Sequence, residues 1–284
     1  MDKPFEKRCR DYKKITVLIA FLFNFAIIFA NSSRFAKINV SSAAGNASAY
    51  AVIDVDSKEI IMSENADEPL PIASTTKILT ALTVIENVFD LDEEVTIPVA
   101  ACGIEGSSIY LTPGERLSYR DLLYGLMLRS GNDAAVALAV LTGGSVENFV
   151  ILMNETARKY GAVNSNFANP HGLDDEKHKV TARDLARISA FAMENDTFKE
   201  IVSAKYYKTS GDTVRYMKNK NKMLFNYEGA DGVKTGYTKK SGRCLVASAE
   251  RNGRRFVSVV INRYNMWQDS ENLLNKAFEQ ANRA

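Results

Sequence analysis

Ser74-Thr75-Thr76-Lys77 is the one S-x-x-K in the chain, and it stands where a helical pattern begins. Three residues apart on a helix, a hydroxyl and an amine share a face. That pairing suits acyl transfer, in which serine attacks and a neutral lysine accepts its proton. Two polar triplets follow: Ser130-Gly131-Asn132 between two expected helices, and Lys234-Thr235-Gly236 on an expected strand. Composition alone produces an S-x-x-K or an S-x-N about once in such a chain and a K-T-G in roughly one chain of fifteen. The reading therefore rests on their order and setting. S-x-N recurs at Ser63-Glu64-Asn65 and Ser270-Glu271-Asn272, both outside that order. Taken singly, Ser74 reads as an N-cap, Lys77 as a solvated helix residue and Lys234 as an edge-strand charge; jointly they read as a site.

Other chemistries find little support. The chain has no Gly-rich phosphate loop, no dinucleotide fingerprint and no G-x-S-x-G elbow. Its two histidines, His171 and His178, lack a helical i, i+4 pair of metal ligands around them, which argues against zinc. His171, in Asn-Pro-His-Gly, is read as a turn residue. The basic run Arg215, Lys218, Lys220, Lys222 is read as a solvated hairpin or loop rather than a polyanion site. No cofactor and no metal are implied.

The elements that must position these residues follow from periodicity. Residues 49–55 alternate as a strand, 56–58 turn, and 59–62 return. From Ser74, Ile78, Leu79, Leu82 and Ile85 recur at helical spacing. Helices are expected at 118–128, 132–141, 146–160 and 181–194, with Ser118 and Thr181 as N-caps. Strand-like runs cover 205–209, 213–217, 232–237, 243–250 and 255–261. The last two flank Asn252-Gly253, a strong hairpin signal. A helix over 267–282 closes the chain. The order predicts an α/β (α+β) fold: one antiparallel sheet built from both ends of the body and flanked by helices, with a helix-rich second lobe and a cleft between.

Of 284 residues, 46% are apolar and 25% charged, enough for a sizeable core. The net charge of +2 is too small to suggest nucleic acid as partner. Residues 1–30 hold six basic groups against three acidic ones, which leaves the remainder at −1. Behind the basic cluster, the apolar run 15–30 has the pattern of a secretory signal, either cleaved or kept as an N-terminal membrane anchor. Either outcome exports the body. The expected organisation is thus a signal or anchor at 1–30, a linker at 31–47 and a catalytic domain at 48–284. Within that domain the sheet lobe takes about 48–90 and 228–284, and the helix-rich lobe about 91–227. Beyond the leader's Cys9, Cys102 and Cys244 are read as small apolar residues rather than as a disulfide.

With these motifs in order, the chain resembles the low-molecular-weight penicillin-binding proteins, the serine D-Ala-D-Ala carboxypeptidases of peptidase family S11, with a β-lactamase/DD-peptidase-like fold. The resemblance spans about residues 48 to 275. It includes NADEPLPIASTTK, EGSSIYLTPGE, LMLRSGNDAA, NPHGLDDEKH, TARDLA, DGVKTGYT and NMWQDS. It implies Ser74 as nucleophile, Lys77 as base, and Ser130 as proton relay in contact with Lys234. Asn132 would bond the substrate peptide, and Thr235 with Lys234 would hold its terminal carboxylate. Backbone N–H groups of Ser74 and Tyr237 would form the oxyanion hole. Gly236 would spare room for substrate beside the strand. Whether Lys77 alone is the base stays open, as does a contribution of Arg263 to carboxylate binding.

The implied activity is removal of the terminal D-Ala from peptidoglycan stem peptides outside the cytoplasm, with β-lactams as acylating inhibitors. A DD-endopeptidase, a class A-like β-lactamase and a non-catalytic peptidoglycan- or β-lactam-sensing module are the alternatives. Class A β-lactamases differ in carrying Asp where Gly131 stands. Their deacylating E-x-x-L-N lies between the second and third motifs, whereas Glu271-Asn272-Leu273-Leu274-Asn275 follows the third. Many family members add an all-β domain and a C-terminal amphipathic anchor. With 48 residues after Gly236, membrane attachment here is expected only through the N-terminal segment.

Overall fold

The computed structural model describes residues 49–211 and 213–283; the leader and linker expected at 1–47 lie outside the described residues. Strands β1 (Ala49–Asp54) and β2 (Ile60–Glu64) form the first hairpin. Helix α1 (Lys77–Asn87) follows a 3-10 turn at Ala73–Thr76. Two short strands, β3 (Glu94–Thr96) and β4 (Arg116–Ser118), pair with each other and escaped the periodicity reading because neither exceeds three residues. Helix α2 (Tyr119–Tyr124) then widens into a π-helical segment, Gly125–Arg129.

Helices α3 (Asn132–Gly143), α4 (Val146–Lys159), α5 (Ala182–Ala192) and α6 (Asp196–Ser203) complete the middle of the chain. Of these, α6 was not expected, although Phe198, Ile201 and Val202 give it a buried helical stripe and Asn195 caps it. A second small hairpin, β5 (Tyr206–Lys208) and β6 (Tyr216–Lys218), precedes the one-turn helix α7 (Met223–Asn226). The chain closes with β7 (Ala230–Thr238), β8 (Gly242–Arg251), β9 (Arg254–Ile261) and α8 (Met266–Ala281).

The main sheet has the order β2-β1-β9-β8-β7, all antiparallel, so it is assembled from both ends of the described chain as its periodicity requires. Helix α8 covers one face against β8 and β9, while α5 and α6 pack on β1, β9 and β7. Side chains alternate between faces. Phe256 meets Phe278 of α8 edge-on at 5.0 Å between ring centroids, whereas Val257, Val259 and Ile261 join the core with the helices of the other side. Burial on both faces explains why β1, β8 and β9 read as nearly continuous apolar runs. The β8–β9 turn takes positive φ at Asn252 (53°) and Gly253 (73°), as a type I′ turn demands. Cys102 and Cys244 are both free.

The β5–β6 hairpin hangs on one buried carboxylate. Asp121, fully buried, completes the capping box of α2 with Ser118. It also accepts from the Tyr207 hydroxyl (2.9 Å) and the Ser210 hydroxyl (3.0 Å). Tyr207 in turn stacks on Tyr124, with ring centroids 3.6 Å apart. Asp121→Ala strands these donors and is expected to cost about 3 kcal/mol. Urea denaturation will report the loss, and amide exchange should rise in β5 and β6 before it rises in the main sheet.

Candidate active site

Ser74 is the only residue from 72 to 84 that reaches solvent. Its 3-10 turn is tied down from within: Thr75 Oγ1 donates to the Ile72 carbonyl (2.7 Å) and Thr76 Oγ1 to the Ala73 carbonyl (2.8 Å). Thr76 Oγ1 also meets His178 Nε2 at 2.9 Å. Ala73, just before the serine, holds φ at 49°, a left-handed conformation that a non-glycine residue adopts only when its surroundings enforce it. No side chain caps the turn or α1, so Ser74 Oγ is not spent as an N-cap.

One turn on, Lys77 is completely buried. Its Nζ donates to Ser74 Oγ (3.0 Å), Asn132 Oδ1 (2.7 Å) and the His171 carbonyl (2.6 Å), one acceptor for each ammonium hydrogen. Burial, then the charges of Lys234 and Lys220, hold its proton affinity well below that of an ordinary lysine, against a smaller opposing pull from Asp133. Removing a proton leaves a lone pair beside Ser74 Oγ.

The π segment delivers Ser130, which is buried and left-handed (φ 64°, ψ 33°). Beyond it, Asn132 opens α3, and its Nδ2 donates to the Glu105 carbonyl at 2.6 Å. Asp133 then ties the 108–111 loop to α3. Its carboxylate accepts from Ser108 Oγ (2.5 Å) and from the backbone N–H groups of Ile109 (3.0 Å) and Leu111 (3.1 Å). Arg215 clamps the same loop, donating to the Ile109 carbonyl (2.7 Å) and pairing with buried Glu115 (2.8 Å). Arg215 is therefore a structural bridge, not a member of a solvated run.

Lys234, Thr235, Gly236 and Tyr237 lie on β7, an edge strand of the main sheet. A Cβ added at Gly236 would sit 3.0 Å from both the Ile72 carbonyl and Ser74 N. The glycine thus makes room for the Ser74 turn, a structural reason that stands beside the expected one toward substrate. Lys234 is buried, and its Nζ donates to the Thr235 carbonyl at 2.9 Å. The contact with Ser130 implied by the resemblance is not among the hydrogen bonds of the described residues. Burial and the nearby Lys220 push its pKa down to about 7. Arg263 is also buried, facing Glu64 (3.4 Å) and Asp269 (4.0 Å), which ties the sheet to α8.

Direct contacts therefore join Ser74, Lys77, Asn132 and Gly236, while charge couples Lys234 to Lys77. Ser130 enters through the backbone next to Asn132, and Thr235 and Tyr237 through their strand. Sequence reasoning missed the part played by Asn169-Pro170-His171-Gly172. The Pro170 carbonyl accepts from Thr80 Oγ1 (2.7 Å) and the His171 carbonyl from Lys77. The available signal was the need of a buried amine for a third acceptor. Among the described residues no cluster of three or more His, Cys, Asp or Glu could hold a metal ion.

Gly172 is what lets that turn approach. It has φ +83°, and a Cβ there would lie 2.0 Å from the Ala73 carbonyl oxygen. Gly172→Ala is expected to push the His171 carbonyl off Lys77 and to slow acylation of Ser74 by a labelled β-lactam more than about tenfold. Gly144→Ala is the control. It shares a positive φ (+76°) with nothing within 4 Å, so it should retain acylation at a stability cost of about 1 kcal/mol.

Comparison with known proteins follows the same lines. Residues 36–265 match the peptidase S11 family, described as D-alanyl-D-alanine carboxypeptidase. The chain is 34% identical over 237 residues to the D-alanyl-D-alanine carboxypeptidase DacF of Bacillus subtilis, covering 80% of this chain and 61% of that protein. Against the D-alanyl-D-alanine carboxypeptidase of Streptomyces sp. K15 it is 36% identical over 219 residues, or 71% of this chain and 75% of that one. The crystal structure of the Streptomyces K15 DD-transpeptidase superposes with a TM-score of 0.77 at 32% identity, over 86% of this chain and all of that one. The chain spans about three fifths of the length of the first curated relatives it matches. Its fold is that of the DD-peptidases, and the chain belongs to the D-alanyl-D-alanine carboxypeptidase family, peptidase family S11.

Proposed function

We propose that the protein is an exported serine D-alanyl-D-alanine carboxypeptidase that trims peptidoglycan stem peptides on the extracytoplasmic side of the membrane. The observation that carries this reading is the buried Lys77 amine in contact with Ser74 Oγ. Ser74 Oγ attacks the carbonyl between the two terminal D-alanines as its proton passes to neutral Lys77. The C–N bond breaks, Ser130 hands its proton to the departing amine and takes up in turn the one that Lys77 received, and D-alanine leaves. Water then splits the acyl ester and restores Ser74. Asn132 Nδ2, with one hydrogen on the Glu105 carbonyl, offers its second to the substrate peptide. Thr235 and protonated Lys234 hold the terminal carboxylate. The N–H groups of Ser74 and Tyr237 face the oxyanion, each donor contributing about 2.7 to 4 kcal/mol. The export signal is assigned to the leader.

Incubation with a D-Ala-D-Ala peptide should release D-alanine, and Ser74→Ala should abolish the release. Lys77→Ala should lower it by about 10²- to 10⁴-fold. Labelled penicillin should remain on Ser74. No release despite labelling favours a sensor, rapid loss of label a β-lactamase, and cleavage confined to cross-linked peptides an endopeptidase.

The two buried lysines also set a pH dependence. Catalysis needs Lys77 neutral, which rising pH favours. Carboxylate binding needs Lys234 charged, which is lost as pH rises through about 7. The alkaline limb of kcat/KM should therefore lie near 7 in the free enzyme. It should move upward in kcat, where bound carboxylate holds the proton on Lys234. Lys234→Arg keeps its charge at all these pH values and should remove that limb. An unchanged limb, in variant protein with the parent's unfolding midpoint, assigns it elsewhere.

A further inference from the structure

The basic run that the mechanism leaves unused has a definite architecture. From Lys218 to Met223, exposed and buried residues alternate: Lys218, Lys220 and Lys222 face outward while Asn219, Asn221 and Met223 face inward. The inward side is hydrogen-bonded in place. Asn219 Nδ2 donates to the Ala204 carbonyl (3.0 Å), Asn219 Oδ1 accepts from Asn221 N (2.9 Å), and Asn221 Oδ1 accepts from Met223 N (3.0 Å). The three lysines are thus presented together by a fixed backbone.

With Arg129 and Phe225 they line a groove of about 450 Å³. It shares Lys218 with a second groove of about 310 Å³ formed by the outer face of the β5–β6 hairpin, where Tyr206, Lys208 and Tyr216 are exposed. Among the described residues no Asp or Glu lines either groove. Among the described residues, none of Arg129, Lys218, Lys220 and Lys222 has a carboxylate partner, although Arg116, Arg120, Lys159, Arg183 and Arg215 do. Like charges lining one groove repel one another, and partial burial, then the Arg129 guanidinium, lowers the proton affinity of Lys220. An anionic ligand relieves that repulsion.

The larger groove adjoins the active site. Lys220 Nζ donates to Ser107 Oγ (3.1 Å), and the Ser107 carbonyl receives Asn132 N (2.7 Å). Arg129 directly precedes Ser130. A chain bound at Ser74 and leaving past Lys220 enters the basic groove. We propose that this groove is an extended subsite for carboxylate-bearing residues of the peptide substrate, remote from the scissile bond. It draws charge from Arg129, Lys218 and Lys222, while Phe225 and the exposed tyrosines supply apolar contact. The inference rests on the peptide-substrate reading above. It adds a substrate class: acidic peptides over neutral ones.

The test uses two peptides of equal length ending in D-Ala-D-Ala, one with free side-chain carboxylates and one with those groups amidated. The parent should prefer the acidic peptide in kcat/KM by about fivefold, mostly through KM. A Lys218→Gln/Lys222→Gln double variant should lose that preference, and so should the parent in about 0.5 M salt. Acylation by a labelled β-lactam, which lacks the remote segment, should be the same in both proteins. Equal use of the two peptides by the parent, or a preference that survives in the double variant, overturns the proposal. Loss of binding to anionic phospholipid vesicles in the double variant, without a change in peptide preference, also overturns it and assigns the patch to a membrane surface. Anisotropy titration of Ser74→Ala with both peptides separates the two readings. Acid-selective binding that needs Lys218 and Lys222, without D-alanine release by the parent, retains the subsite and removes the carboxypeptidase assignment.

Discussion

A primary amine enclosed entirely by protein is the constraint around which the rest is arranged. A buried ammonium without partners costs several kcal/mol. Lys77 escapes part of that cost through three acceptors drawn from three separate places: the serine of its own turn, the amide that opens α3, and a carbonyl from the 169–172 turn. What remains of the cost appears as lowered proton affinity, which favours the neutral amine beside Ser74 Oγ. Stability and reactivity are therefore set by the same burial.

Satisfying that amine dictates close approaches elsewhere. Two glycines mark them. Gly172 brings the 169–172 turn onto the carbonyl of Ala73, and Gly236 brings β7 onto the backbone of Ile72 and Ser74. The main sheet and the helices of the middle region thus meet at one four-residue turn, and the positive φ of Ala73 is held by packing from both sides. Farther out, buried carboxylates do comparable work. Asp133 anchors the 108–111 loop, Asp121 the β5–β6 hairpin, and Glu115 holds the arginine that bridges loop and hairpin. Each carboxylate gathers donors that would otherwise be buried without partners.

Lys234 and Lys220 extend the pattern of excess positive charge. In the described residues Lys77 and Lys234 are fully buried with no carboxylate bonded to either amine, and Lys220 stands near both. Such an arrangement is electrostatically unfavourable when empty and favours an anionic ligand. Conservative exchange at these lysines is not neutral, since size and hydration decide whether the amine tolerates burial.

Much of this was legible in the chain itself. Strand-like apolar runs at both ends located the sheet, Asn252-Gly253 its last hairpin, and Ser118 and Thr181 the starts of two helices, because these signals are local and depend on neighbouring residues alone. The order of S-x-x-K, S-x-N and K-T-G likewise pointed to the serine and its lysine. Short elements such as β3, β4 and α6 were missed, since three to eight residues carry too little periodicity to stand out. Only the tertiary structure decided that the His171 carbonyl completes the lysine's shell, that Gly236 gives room to the Ser74 turn, and that Arg215 is a bridge while its lysine neighbours line a groove. Those facts depend on which distant backbones come within a few ångströms of one another, and residue types spaced along a chain carry no record of that distance.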